Sequence, residues 1–121
     1  MRFMMIMIPE VYRKPVPPDF APSPEDVRAM GEYNEQLRKA GVLLALEGLT
    51  PPSTAARVSF SAGKPVVTDG PFAETKEVIG GYWMIRVNSR EEAIEWAKRC
   101  PARGHDVIEL RRVFDAGDFE K

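Results

Sequence analysis

Two helix starts punctuate a chain of short apolar runs, and their order limits the fold more than any other feature. Ser23-Pro24-Glu25-Asp26 supplies an N-cap hydroxyl, a proline suited to the first helical position and two acids that complement the helix dipole. Val27, Met30, Leu37 and Ala40 then recur at helical spacing, with Tyr33 or Asn34 between them, and Gly41 is the stop. Ser89 opens a second helix, and Glu92 three residues on completes a capping box. Its apolar side is Ala93, Ile94, Trp96, Ala97 and Cys100, and Pro101 ends it. Around these helices lie strand-like runs at 2–8, 42–49, 79–87 and 106–114. Between the second and third, residues 57–61 and 65–68 flank a turn at Ala62-Gly63 and read as a hairpin. Without that hairpin the order is βαββαβ, an α+β pattern of the split-βαβ or ferredoxin-like type.

The alternation within these runs carries a second message. Phe3, Met5 and Met7 point opposite to Met4, Ile6 and Ile8, and Tyr82 and Met84 point opposite to Trp83 and Ile85. Two helices cover only one face of such a sheet. The other face is a large apolar patch, which soluble monomers avoid. A second copy of the sheet, face to face in a two-fold homodimer, is the simplest cover.

Length and composition agree with one domain spanning 1–121. The chain has 121 residues, 44% hydrophobic and 29% charged, in the range of ordinary globular proteins. Its net charge of −1 argues against a nucleic-acid binder held by phosphate contacts. The apolar run from Phe3 to Ile8 stops at Pro9, too short for a membrane span, and no secretory cleavage site follows it. A cytoplasmic location is the default expectation. One cysteine, Cys100, excludes an intrachain disulfide and a multi-cysteine zinc site. Residues 9–23 form a proline-rich loop, in which the half-proline stretch from Pro15 to Pro24 is expected to be stiff and extended, and 115–121 a charged tail expected to fray.

The most distinctive stretch is 69–77, DGPFAETKE. Asp69, Glu74, Lys76 and Glu77 bring charge, Thr75 a hydroxyl and Phe72 an aromatic anchor. Gly70 permits backbone conformations closed to other residues, and Pro71 restricts it further. The loop is built to a shape, as a binding loop on a rigid scaffold must be. Asp69 is the first candidate for general acid/base work, if apolar neighbours bury it and raise its pKa; otherwise it is a turn former. Glu77 is the second. A metal site made by Asp69, Glu74 and Glu77 matches no known calcium loop, so no metal is expected. No phosphate loop, HExxH, CxxC or GxSxG motif occurs, and no cofactor is implied.

DGPFAETKE resembles the signature of DGPF-domain proteins, a branch of the YCII-related (YciI-like) family. The segments 37–41 and 47–49, Gly80-Gly81-Tyr82, Arg99-Cys100-Pro101 and 108–111 also follow that pattern. The resemblance covers roughly residues 2–114. It implies a dimeric α+β barrel of ferredoxin-like protomers. Some relatives are encoded beside extracytoplasmic-function sigma factors, which implies a possible regulatory partner. A few act on small ring compounds through a His–Asp pair. That pair does not carry over: the sole histidine here, His105, lies in the turn before the last strand, and Asp106 beside it points to the opposite face.

Charges on the strands remain. Glu47, Arg86, Glu109 and Arg111 each sit in an apolar run. Glu109 and Arg111, two residues apart, share the face opposite Ile108 and Leu110 and look into the dimer. They read as a structural ion pair or as a polar clamp in a ligand cavity. Tyr82 and Trp83 flank Gly80-Gly81, whose missing side chains leave room nearby; packing in the core or interface is their commoner use. Together these residues outline a small-molecule cavity edged by the DGPF loop, with Asp69, Gly70, Pro71, Phe72, Glu74, Thr75, Lys76, Tyr82, Glu109 and Arg111 as its expected contacts. The competing expectation is a regulatory or interaction protein without catalysis.

Overall fold

A computed structural model describes residues 1–61, 63–72 and 77–120. Strands β1 (Arg2–Ile8), β2 (Leu43–Gly48), β5 (Gly81–Arg86) and β6 (Val107–Arg112) form one antiparallel sheet in the order β2-β5-β1-β6. β3 (Ala56–Ser59) and β4 (Val66–Asp69) pair separately as the inserted hairpin. Helices α1 (Pro24–Lys39) and α2 (Arg90–Lys98) complete the βαββαβ order. This is the ferredoxin-like arrangement expected from the run order.

The caps form where their residues demanded. Ser23 Oγ accepts from Asp26 N at 3.1 Å, and Gly41 takes φ +73° just past α1. Ser89 Oγ accepts from Glu92 N at 3.1 Å. Glu92 reaches back one residue further than a capping box requires, to Asn88 N at 2.9 Å.

Register sorts the sheet into two faces, because paired residues point the same way. On one face run the rows Gly48–Gly81–Met7–Ile108, Leu46–Trp83–Met5–Leu110 and Leu43–Ile85–Phe3–Arg112. The helices cover this face: Met5, Ile85 and Leu37 are wholly buried, and Tyr33 and Trp83 meet edge to face at 5.7 Å. The other face carries Glu47–Tyr82–Ile6–Glu109 and Ala45–Met84–Met4–Arg111. Met4, Ile6, Tyr82 and Met84 are only half-buried. Within the chain, β1 is thus fully covered on one face alone.

Three expectations need correction. Val27 lies on the outside of α1 and is exposed, so the buried stripe of α1 is Tyr33 and Leu37 with Met30 packed beside them. The stretch from Pro15 to Pro24 is not extended throughout, because Phe20 N donates to Pro17 O at 3.0 Å and closes a turn; ahead of it, Glu10–Arg13 make a 3₁₀ turn that buries Tyr12, whose hydroxyl donates to Leu49 O at 2.9 Å. The tail does not simply fray. Ala116–Phe119 forms a 3₁₀ turn, Asp118 accepts both Arg112 guanidinium nitrogens at 2.9 and 3.0 Å, and Phe114 stacks on Phe119 at 4.9 Å. Arg112 holds the Asp118 carboxyl below its ordinary pKa by hydrogen bond and charge.

Candidate functional site

The DGPF stretch is anchored by close packing to the turn that precedes the hairpin. Gly70 N donates to Ala55 O at 2.7 Å. A Cβ on Gly70 would collide with the carbonyl of Pro52, so glycine is required there by proximity. Pro51, in the same turn, is completely buried. Past the cis Gly70–Pro71 bond, Phe72 lies under the Arg57 guanidinium, 3.9 Å from its ring centre. Glu74, Thr75 and Lys76 lie outside the described residues.

Asp69 ends β4 and is exposed, as is Glu77. Within this chain Asp69 lacks the burial expected of a proton-transfer group. Among the described residues no hydrogen bond to the Asp69 side chain is seen. The reason is topological. The hairpin pairs only with itself and leaves both strands exposed on both sides. Glu109 and Arg111 do share the open face, with their charged ends 3.4 Å apart, but both are well exposed, at 46% and 72% of the side chain. Such a pair contributes little to stability. His105 is a surface turn residue; its backbone N donates to Glu10 Oε2 at 3.2 Å, and Asp106 caps Glu10 N at 2.8 Å.

A concave site exists elsewhere. Gly48 and Gly81 face each other across β2 and β5 on the helix-covered side, and neither fills the space above Met7. The result is a pocket of about 130 Å³. Met30 and Asn34 of α1 roof it, and Leu46 and Trp83 wall it, while Gly80, Glu47 and Tyr82 also border it. Gly80 and Gly81 are held by contacts on their other sides. A Cβ on Gly80 would strike the Pro9 ring, and one on Gly81 would sit 2.9 Å from Glu47 O. At Gly48 nothing lies within 4 Å of that position.

One hydrogen bond organises this pocket. Trp83 Nε1 donates to Asn34 Oδ1 at 2.7 Å. An indole N–H only donates, so the amide oxygen must face it and the Asn34 NH2 is turned away. Tyr33, next to Asn34, donates to Trp96 O at 2.7 Å and locks α1 against α2. Burial raises the Tyr33 phenol pKa well beyond its ordinary value. Cys100, 4.0 Å from Met30 Sδ, is buried, which pushes its thiol up to about 11.

Of the contacts expected from sequence, Tyr82 alone lines this pocket among the described residues. Asn34 and Gly48 were not singled out. The signal for Gly48 was present, as a second gap in an apolar strand besides Gly80-Gly81. Asn34 carried no such signal, because its partner Trp83 lies 49 residues away.

Among the described residues no helix is long and apolar enough to cross a membrane. A protein of Rhizobium meliloti (strain 1021), itself uncharacterised, is 42% identical over 102 residues, which cover 78% of this chain and 82% of the relative. The family model of the YCII-related domain matches residues 1–117, and the chain belongs to that family.

Proposed function

We propose that this protein is a homodimer that binds a small organic molecule in the pocket between α1 and the β2–β5 end of the sheet. The pocket itself carries the reading: about 130 Å³, with apolar walls and a single oriented amide. That is the usual make-up of a small-ligand site. The volume is close to that of an apolar cavity of about 150 Å³ known to take benzene. Dimerisation is supported by the half-buried Met4, Ile6, Tyr82 and Met84. The same face holds acids, Glu47 and Glu109, beside bases, Arg86 and Arg111, so a two-fold copy can set opposite charges together. Whether the bound molecule is transformed rests on groups brought in by the dimer, Asp69 and Glu77 among the candidates. Native mass spectrometry of protein purified from its own cells tests the reading. The expected result is a dimer retaining a small molecule. A folded monomer at micromolar concentration with no retained mass overturns it.

The hairpin favours a second reading, a regulatory or interaction protein. Val58, Phe60 and Val67 fall on one side of it and are 50%, 69% and 65% exposed. If that side stays bare in the dimer, a protein partner is the natural cover. The family resemblance suggests an extracytoplasmic-function sigma factor as the first to try, by co-purification.

A further inference from the structure

We propose that Asn34 selects the ligand, and that the pocket takes a small, neutral, mainly apolar molecule bearing one hydrogen-bond acceptor, such as a ketone or lactone oxygen. The inference rests on the pocket being a ligand site. It follows from what the walls offer. Met7, Met30, Leu46 and Trp83 provide apolar surface and penalise charge. No cation among the described residues lines the pocket to attract an anion, and the Glu47 carboxylate projects from the opposite face of the sheet.

Asn34 supplies the polar contact. Its oxygen is committed to Trp83 Nε1, at 2.7 Å, and its NH2 makes no hydrogen bond among the described residues. The indole therefore fixes which end of the amide is available. What remains is a donor, and a donor requires an acceptor on the ligand. A ligand without one leaves the NH2 unpaired when water is displaced. Gly48 sets the depth, since the space above it is open.

Two probes of one shape separate these points. Cyclohexanone carries the acceptor, and methylenecyclohexane replaces its oxygen with CH2. Binding is followed by NMR at the Trp83 indole N–H and the Asn34 carboxamide protons. Cyclohexanone is expected to bind about three- to tenfold more tightly, the yield of one neutral hydrogen bond. Asn34→Asp keeps an oxygen for Trp83 and removes the donor, so the preference should vanish or reverse. Should that variant fold poorly, the wild-type ratio and the shift of the Asn34 protons decide the matter. Gly48→Leu should block both probes. Equal binding of the two probes, with Asn34 signals unmoved, overturns the selector role and leaves the pocket as a site. Binding of neither probe to the wild type, or undiminished binding to Gly48→Leu, overturns the site and the selector role together.

Discussion

The two faces of the sheet are made by alternate residues of the same strands, yet their surroundings differ completely. Met5 and Ile6 are neighbours in β1. Met5 is wholly buried under the helices, against Trp83 and Leu110. Ile6 is half-buried between Tyr82 and Glu109, with no helix above it. Both positions are apolar, so hydrophobicity alone does not say which face is the core. The accompanying residues do. The covered face is almost purely apolar, with Arg112 only at its margin. The open face mixes apolar side chains with Glu47, Glu109, Arg86 and Arg111. That mixture is what a face needs if it is both to meet a partner and to survive in water before it does.

The sharpest test puts one charge on each face. Met5→Lys buries an ammonium with no partner and should cost more than about 4 kcal/mol, enough to abolish folding in a domain of this size. Ile6→Lys leaves the core of the chain intact and should instead split the proposed dimer. Urea denaturation and analytical ultracentrifugation read the two outcomes. If Ile6→Lys unfolds the chain as Met5→Lys does, the protomer has no independent stability and the faces are not separable.

A gentler contrast lies at the pocket, between two glycines paired in register. Gly81→Ala presses a methyl against the β2 backbone at Glu47 and should cost about 1–3 kcal/mol. Gly48→Ala meets open space and should change stability by less than about 1 kcal/mol, with a bias toward gain, because alanine has less freedom to lose on folding. Equal losses would mean that the pocket at Gly48 is closed in solution.

Two tyrosines extend the comparison to hydrogen bonding. Tyr33 donates to Trp96 O beneath α1, and Tyr33→Phe strands that carbonyl in a part-buried site. A loss of about 1–2 kcal/mol is expected. Tyr82→Phe on the open face removes a hydroxyl with no partner among the described residues and should cost the protomer under about 0.5 kcal/mol. Thermal melts at matched concentration check both. A larger loss at Tyr82 that grows as protein is diluted would place its hydroxyl in a contact between copies of the chain.

Much of the fold was legible because its determinants are local. Ser23, Ser89 and Gly41 each act within one turn, and the strand alternation is read residue by residue. The room beside Gly80-Gly81 was legible for the same reason. Other features depend on distant partners. Phe119 turns back onto Phe114 because Arg112 grips Asp118, a pairing the tail's composition does not announce. Asn34 matters through Trp83, on the far side of the fold. The DGPF motif depends on a distant partner too. Gly70 was expected for a backbone conformation closed to other residues, yet its φ is not positive; glycine is needed there because the carbonyl of Pro52 leaves no space for a side chain. Its described part packs against the turn before the hairpin, and Asp69 beside it is exposed.

The smallest expected effect concerns Cys100, at the margin of the covered face. Burial raises its thiol from the ordinary 9.0 to about 11, with Asp106 adding to the rise and a hydrogen bond with the Ala102 backbone opposing it. The sign follows from proton counting. Below pH 9 both folded and unfolded states keep the proton, and the thiol gives stability no pH dependence. Between pH 9 and about 11 the unfolded chain ionises while the folded one does not. The unfolded state then binds fewer protons, so stability falls as pH rises. Above about 11 the folded thiol ionises as well, and the loss from this group is complete. Tyr33 adds a loss of the same sign at higher pH, since burial raises its phenol too. Cys100→Ala leaves a small void and should lower stability at every pH. It should also flatten the decline between pH 9 and 11, and that change of slope, rather than the offset, is the diagnostic. Urea midpoints at pH 8, 9.5 and 10.5 for both proteins measure it. Identical slopes would mean that the thiol is open to water in solution, and iodoacetamide should then label Cys100 readily at pH 8, where a buried, protonated thiol stays inert.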